Sequence, residues 1–235
     1  MSINLHLGDC LEAMLAMPDN SYELAIVDPP YGLKIAKAKP KKINNYKGKT
    51  LQGGKVNVIR SNYTPKDWDN NAPDELYFSE LQRISKNQII WGGNYFNLPP
   101  TKGIIVWNKF NQLPTYADGE MAWTSFDKPL KILHYLWDGF KQGQNIGLNP
   151  KPHGNHELKE KRIHPTQKPV KLYEWLLDNY AKEGDSILDT HLGSGSIALA
   201  CHNRGYSLDA YEIDEEYYNA ATERLRIHQS QLTIF

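Results

Sequence analysis

The apolar run Leu24-Ala25-Ile26-Val27, stopped at Asp28-Pro29-Pro30-Tyr31, constrains this chain more than any other stretch. Four consecutive apolar residues predict a short strand covered on both faces, as in a parallel sheet lying between helices. The two prolines end the ladder, because neither carries an N–H. A carboxylate, a rigid turn and an aromatic ring then sit at the carboxyl end of a core strand, the edge at which open α/β sheets bind ligands. That set suits a flat base bearing an exocyclic amine: Asp28 and the proline carbonyls can accept its N–H groups, and Tyr31 offers a stacking face. A plain strand and turn capped by Asp28 fits the four residues as well. The rest of the chain has to separate the two readings.

The segments around this run alternate in type. Asn4–Leu7 reads as a strand, and Asp9 follows as a helix cap or a ligand contact ahead of the helix Cys10–Met17. With the strand ending at Asp28 this makes a βαβ unit. Pro73–Ile84 is predicted to be a helix with Leu76, Leu81 and Ile84 on one face. Strands are expected at Gln88–Trp91, Ile104–Trp107, Met121–Ser125 and Leu130–Trp137. The stretch Gly139–Ile163 is polar and glycine-rich and reads as an insert on the core. Then Pro165 to Pro169 open a helix carrying Leu172, Trp175, Leu176 and Tyr180. Ser186–Leu188 is a strand ended by Asp189. Gly193-Ser194-Gly195 turns into the helix Ser196–Arg204, which Gly205 closes. Leu208–Tyr211 is the next strand, with Glu212 at its tip, and Asp214 caps a last helix running to about His228.

Charge enters through its distribution. The chain has 235 residues and a formal net charge of zero, yet Lys34 to Arg60 holds eight lysines, one arginine and no acid, whereas Asp209 to Glu223 holds six acids and no base. A basic face is expected. Residues 32–71 read as a loop that like-charge repulsion keeps open and a polyanion would order; a solvated loop without a partner is the bland reading, and the position directly after Tyr31 favours phosphate contact. Cys10 and Cys201 lie in apolar helical patterns without CxxC spacing, which suits reduced thiols in the cytoplasm. No apolar stretch approaches the roughly 18 residues of a membrane span, and the amino end lacks a signal-peptide pattern.

A strand, a glycine turn, a helix and a second strand tipped by an acid describe a nucleoside-cofactor site. The glycines admit close backbone approach, and Glu212 lies 23 residues after Asp189, near the spacing at which an acid holds ribose hydroxyls. The turn from Asp189 to Ser196 is not GxGxxG. An acid ahead of the glycines would repel a pyrophosphate and suit a cationic group such as the ammonium or sulfonium of S-adenosylmethionine.

With these segments in place the chain resembles the amino-methylating DNA methyltransferases, and within them the permuted β arrangement in which the catalytic half precedes the cofactor half. Asp28-Pro29-Pro30-Tyr31 is similar to the family's catalytic motif. Gly8-Asp9 is similar to the strand end that reaches the cofactor's adenine, and Trp91-Gly92-Gly93-Asn94-Tyr95-Phe96 to a segment of the catalytic half. His164-Pro165-Thr166-Gln167-Lys168-Pro169 resembles the start of the cofactor motif, Asp189–Ser196 its D-P-F-x-G-S-G-T loop, and Glu212 the ribose acid. The chain departs from the pattern at Thr190-His191, where the family usually has Pro-Phe.

The resemblance implies an α/β, Rossmann-like methyltransferase fold: a seven-stranded, mostly parallel sheet with helices on both faces, circularly permuted. Residues 1–138 would form the catalytic half, 139–163 a small target-recognition insert and 164–235 the cofactor half. It also implies methyl transfer from S-adenosylmethionine to adenine N6 in double-stranded DNA, with no metal. Asp28, Pro29, Pro30 and Tyr31 would be catalytic. Asp9, Asp28, Thr166, Gln167, Lys168, Asp189, His191, Gly193, Ser194, Gly195 and Glu212 would hold the cofactor. Lys34, Lys37, Lys39, Lys41, Lys42, Lys151, Asn155 and Lys161 would contact DNA, the last three through base edges or backbone. The same chemistry on cytosine N4 or RNA stays open, as does a catalytically silent DNA-binding module, to which only Thr190-His191 points. A monomer or homodimer is expected. The tail Gln231–Phe235 resembles the short peptide that grips a sliding clamp, but packing of the tail on its own domain is the preferred reading.

Overall fold

The computed structural model describes residues 1–34, 66–111, 117–137 and 141–232. Among them, eight strands form one sheet: β1 (Ile3–Leu7), β2 (Tyr22–Val27), β3 (Ser85–Trp91), β4 (Ile104–Asn108), β5 (Gly119–Thr124), β6 (Lys131–His134), β7 (Ser186–Asp189) and β8 (Ser207–Glu212). Their spatial order is β1-β8-β7-β2-β3-β5-β4-β6. Every neighbouring pair is parallel except the two made by β5, with β3 and with β4. All eight segments read as strands thus join a single sheet, one more than the seven implied by resemblance. Seven of them run in one direction.

That shared direction positions the site. The parallel strands finish on one edge, which therefore collects Asp9 after β1, Asp28 after β2, Gly92 after β3, Asp189 at the end of β7 and Glu212 at the end of β8. The reversed strand β5 does the opposite and brings its amino end, with Glu120, to the same edge.

Five helices cover the sheet: α1 (Cys10–Ala16), α2 (Glu75–Ile84), α3 (Val170–Tyr180), α4 (Ser196–Arg204) and α5 (Glu215–Leu232). Side chains of β2 alternate between the faces. Leu24 and Ile26 pack with Leu172 and Leu176 of α3, Ile197 of α4 and Leu225 of α5. Ala25 and Val27 pack with Met14 of α1 and with Tyr77, Phe78, Leu81 and Ile84 of α2. Leu81 and Ile84 are wholly buried, each contributing roughly 1.5–3 kcal/mol.

Local rules place the helix ends. Asp9 caps α1 by accepting from Leu11 N at 2.7 Å, and Asp74 caps α2 by accepting from Tyr77 N at 3.1 Å. Gly205 closes α4 in the left-handed region. The inward face of α2 is not the expected one. Leu76 is 46% exposed, while Tyr77 and Phe78 face the sheet. The cap at Asp74 and a buried hydrogen bond between the Tyr77 and Thr190 hydroxyls set the helix rotation, and that turns Leu76 outward. Trp175 of α3 is likewise only partly buried. Helix α5 runs past His228 to Leu232 and so takes Gln231 and Leu232 into its last turn; Thr233–Phe235 lie outside the described residues.

The segment 141–163 carries one short 3₁₀ turn, His156–Leu158, and isolated bridges at Gln142 and at Gly143 with Pro152. Gln142 and Glu160 clamp it, the side-chain amide and carbonyl of Gln142 meeting the Glu160 backbone at 2.9 and 2.7 Å. Among the described residues no helix is long and apolar enough to cross a membrane.

Candidate active site

Strand β2 delivers Asp28 half-buried at the sheet edge, and the prolines turn the chain so that Tyr31 folds back on it. The Tyr31 hydroxyl donates to Asp28 Oδ1 at 2.8 Å. The ammonium of Lys168, from the segment preceding α3, lies 2.5 Å from Asp28 Oδ2 and 3.5 Å from the Tyr31 oxygen. Lys168 is 4% exposed. Burial alone would push its pKa down; Asp28 and Glu120 more than offset that and raise it. The Tyr31 hydroxyl is pushed far above its ordinary range by burial and then by Asp28, so it serves as a donor throughout the neutral range.

Tyr31 is itself held from behind. Its ring stacks on Tyr95 at 4.8 Å and 14°, and Phe96 meets it at a steeper angle at 6.0 Å. Gly92 makes the approach possible. It sits at φ +70°, and a Cβ there would lie 2.2 Å from the Tyr31 ring. The run Trp91–Phe96 therefore works as a seat for the tyrosine.

Beside Asp28 a cavity of about 410 Å³ opens along the carboxyl edge, within the usual range for small-ligand sites. Its floor is the Thr190–Ser194 turn. Asp9 and Glu212 stand at its rim from β1 and β8, and Asp28, Pro30, Thr166 and Lys168 close one end. Glu212 is occupied by backbone donors: Gly193 N reaches one oxygen at 2.8 Å and Asp214 N the other at 2.9 Å. Burial raises its pKa against the pull of those N–H groups.

Of the residues expected around a cofactor, Asp9, Asp28, Thr166, Gln167, Lys168, His191, Gly193, Ser194 and Glu212 line this cavity. Three of the expected residues are placed differently from a free cavity lining. Asp189 is buried beneath the turn rather than facing the space, and accepts from His191 N at 3.0 Å. Gly195 is the left-handed start of α4, where a Cβ would come within 3.0 Å of Ala221, so its role is helix packing. Gln167 spends its side chain on the backbone of Ile163 and Lys161, at 2.9 and 3.3 Å, and ties the insert to the cavity wall. Pro29 and Tyr31 lie outside the cavity lining, on the far side of Asp28.

Thr190-His191 is built in. The Thr190 hydroxyl lies 2.6 Å from the Tyr77 hydroxyl and 2.9 Å from His191 Nδ1, and the imidazole meets the Tyr77 ring edge-on. Burial drives the His191 pKa down to about 4, so the ring is neutral at pH 7. A small hydrogen-bonded network thus stands where the resembled family carries an apolar ring.

Sequence reasoning missed Glu120, Lys109, Trp68 and Tyr217. Glu120 pairs with Lys168 at 3.0 Å and, more closely, with Lys109. Trp68 tilts over His164 at 5.1 Å, and His164 meets Tyr217 at 4.3 Å; Trp68, His164 and Tyr217 all line the cavity. The nearest sequence signals were the acid beginning β5 and the tryptophan closing the basic loop. Among the expected DNA contacts, Lys34, Lys151, Asn155 and Lys161 are exposed. Asn155 is committed locally, its side-chain oxygen accepting from Glu157 N at 2.9 Å. Lys37, Lys39, Lys41 and Lys42 lie outside the described residues.

Comparisons with known proteins bear on this geometry. Residues 22–223 match the family model described as DNA methylase, which covers the N6 and N4 amino methylases. The chain is 25% identical over 255 residues to the type II methyltransferase M.HinfI of Haemophilus influenzae, covering 93% of this chain and 67% of that one. It is 26% identical over 266 residues to the type II methyltransferase M2.MboI of Moraxella bovis, covering 96% and 90%. Among solved structures, the complex of M1.HpyAVI with SAM superposes with a TM-score of 0.54 at 20% identity, over 95% of this chain and all of that one. The cytosine-N4-specific PvuII DNA methyltransferase superposes with 0.54 at 14% identity, over 99% and 93%.

Proposed function

We propose, from the premise that this chain belongs to the DNA methylase family, that it transfers a methyl group from S-adenosylmethionine to the N6 amine of an adenine flipped out of duplex DNA. The observation that carries this reading is the meeting of Asp28, Tyr31 and Lys168 beside a cavity that Asp28 and Lys168 line together with Glu212 and Asp9. That cavity fits the methyl donor on its own chemistry. Glu212 offers a carboxylate for ribose hydroxyls, the Gly193–Ser194 backbone allows close approach, and the Asp28 carboxylate suits a cationic sulfur. The donor, when bound, supplies a methyl group on a positively charged sulfur that becomes neutral on transfer.

The chain's own residues do the rest by position and electrostatics. A flipped base must be paid out of the stack at a few kcal/mol. Asp28 and the Pro29 carbonyl accept the amine hydrogens and turn the nitrogen lone pair toward the methyl. Tyr31, backed by Tyr95, is the stacking surface for the base. As the amine gains the methyl it sheds one proton, which passes to water. Lys34, Lys37, Lys39, Lys41 and Lys42 contact phosphates, and the insert, with Lys151, Asn155 and Lys161, reads the target. The protein acts in the cytoplasm, where its DNA is.

The test is incubation with radiolabelled S-adenosylmethionine and unmethylated duplex DNA, beside an Asp28→Ala control, followed by digestion to nucleosides. Label in N6-methyladenosine that vanishes in the control is the expected result. Label in N4-methylcytosine would keep the mechanism and change the base. Absence of label on any duplex or RNA would overturn the reading in favour of a silent DNA-binding module.

A further inference from the structure

Lys109, Glu120 and Lys168 behind the Asp-Pro-Pro-Tyr turn form, with Asp28, a line of alternating charge that ends at the Tyr31 hydroxyl. Lys109 pairs with Glu120, Glu120 with Lys168 at 3.0 Å, Lys168 with Asp28 at 2.5 Å, and Asp28 receives the Tyr31 hydroxyl at 2.8 Å. The two lysines are also braced by indoles: Lys109 lies 4.7 Å from the Trp107 ring and Lys168 5.2 Å from that of Trp91. Members come from four places in the chain, and the reversed strand β5 is what puts Glu120 among them.

An ammonium as buried as Lys168 is costly unless opposed on more than one side. With Asp28 alone as its partner, it could swing between the carboxylate and the Tyr31 oxygen, both within reach. Glu120 opposes it from the far side, and Lys109 holds Glu120 in turn. The consequence falls on Asp28. With Lys168 fixed on Oδ2, the oxygen left to accept from an incoming amine is Oδ1, the one that Tyr31 covers in this structure.

We propose that Glu120 is a positioning residue for methyl transfer: braced by Lys109, it holds Lys168 on Asp28 Oδ2 and so presents Oδ1 to the target amine. The proposal rests on the methylation reading above. Glu120 does not line the cofactor cavity, so its removal should spare cofactor binding while slowing the reaction.

The test uses the full chain and the isosteric Glu120→Gln variant, with two readouts. The first is the titration of the Lys168 ammonium, followed by NMR of lysine labelled at Nζ and assigned with Lys168→Arg. Loss of one of its two anionic partners should lower the Lys168 pKa by at least about one unit. The second is steady-state methylation. A roughly 10- to 100-fold fall in kcat is expected, the scale of a small misplacement at a reacting group. KM for S-adenosylmethionine should stay within about twofold, since it reports binding that Glu120 does not touch. The alkaline limb of the kcat profile should move to lower pH together with the Lys168 titration. Glu120→Asp, which keeps the charge, should recover part of kcat. An unmoved Lys168 titration, or a moved titration with unchanged kcat, would overturn the proposal, as would a loss confined to KM for the methyl donor. Wild-type protein that labels no duplex while the titration still shifts would instead overturn the methylation reading and leave only the charge linkage standing.

Discussion

Gly92 shows how much one missing side chain can carry. Its left-handed backbone and the 2.2 Å that would separate a Cβ from the Tyr31 ring make two penalties at once. Gly92→Ala should lower stability by about 2–5 kcal/mol in urea unfolding and reduce methylation by at least about tenfold through a displaced Tyr31. Thr190 is a second such point, because it shares a hydrogen bond with the buried Tyr77 hydroxyl. Thr190→Val should cost about 1–3 kcal/mol, most of it for leaving that hydroxyl unpaired. Asp189 makes the protein's stability depend on pH. Burial, followed by Asp28 and Glu212, pushes its carboxyl up to about 8 against the pull of the His191 N–H. The folded state therefore keeps a proton that the unfolded chain loses near pH 4. The stabilisation linked to this proton is complete below about pH 4 and is lost as pH rises through about 8, at no more than about 1.4 kcal/mol per pH unit. Melting temperatures taken from pH 5 to 9 should fall accordingly, and Asp189→Asn should flatten the fall. Asp28 and Glu212 were legible because each ends an apolar strand. The burial of Asp189 was not, since nothing local distinguishes an acid that faces a cavity from one beneath its floor.

At the level of elements, helix α5 does more than close the sheet. Its Arg224 donates to Ser194 O at 2.8 Å and Ser196 Oγ at 2.9 Å, and to Glu160 Oε2 at 2.8 Å, while the other Glu160 oxygen accepts from Val170 N at 3.0 Å. One part-buried ion pair thus links the glycine turn, the segment 141–163 and the first turn of α3. Arg224→Met should cost about 1.5–3 kcal/mol, the scale of hydrogen bonds to a charged group, because it leaves the Glu160 charge unpaired, and the double variant with Glu160→Gln should cost less than the sum of the two. Chemical denaturation of the four proteins checks this. The pairing is invisible in sequence: Glu160 lies in a polar stretch without periodicity, and Arg224 is one of several charges on a surface-like helix. By contrast, α4 was legible residue by residue, because a left-handed glycine at each end marks its limits. The face of α2 lay between these cases. Its period was readable, but its rotation depended on a hydroxyl in another element.

Across the whole molecule, residues 66–74 run as a strap from the start of α5 to the Asp28–Tyr31 turn. Lys66 pairs with Asp214 at 2.9 Å and Glu216 at 2.7 Å, Trp68 packs on His164, and the Asp69 side chain accepts from Gly32 N at 3.1 Å. The strap joins the end of the basic stretch to the cavity wall, since Trp68, Pro73 and Asp74 all line that space. Lys66→Met should release S-adenosylmethionine roughly two- to fivefold faster, the scale of one partly exposed ion-pair cluster, with little change in unfolding; stopped-flow tryptophan fluorescence reads the rate. The eight strands, the five helices to within about a turn, and the acids at the strand ends were legible from local residues alone. Apolar runs, prolines, glycines and cap residues act within a few positions of themselves, so their effects survive without knowledge of the fold. Assembly of the sheet set the reversed course of β5, the meeting of Glu120 with Lys168, and which acid lines the cavity and which lies under it. Those outcomes depend on which strands become neighbours and where buried charges find partners, and neither exists until the sheet is assembled.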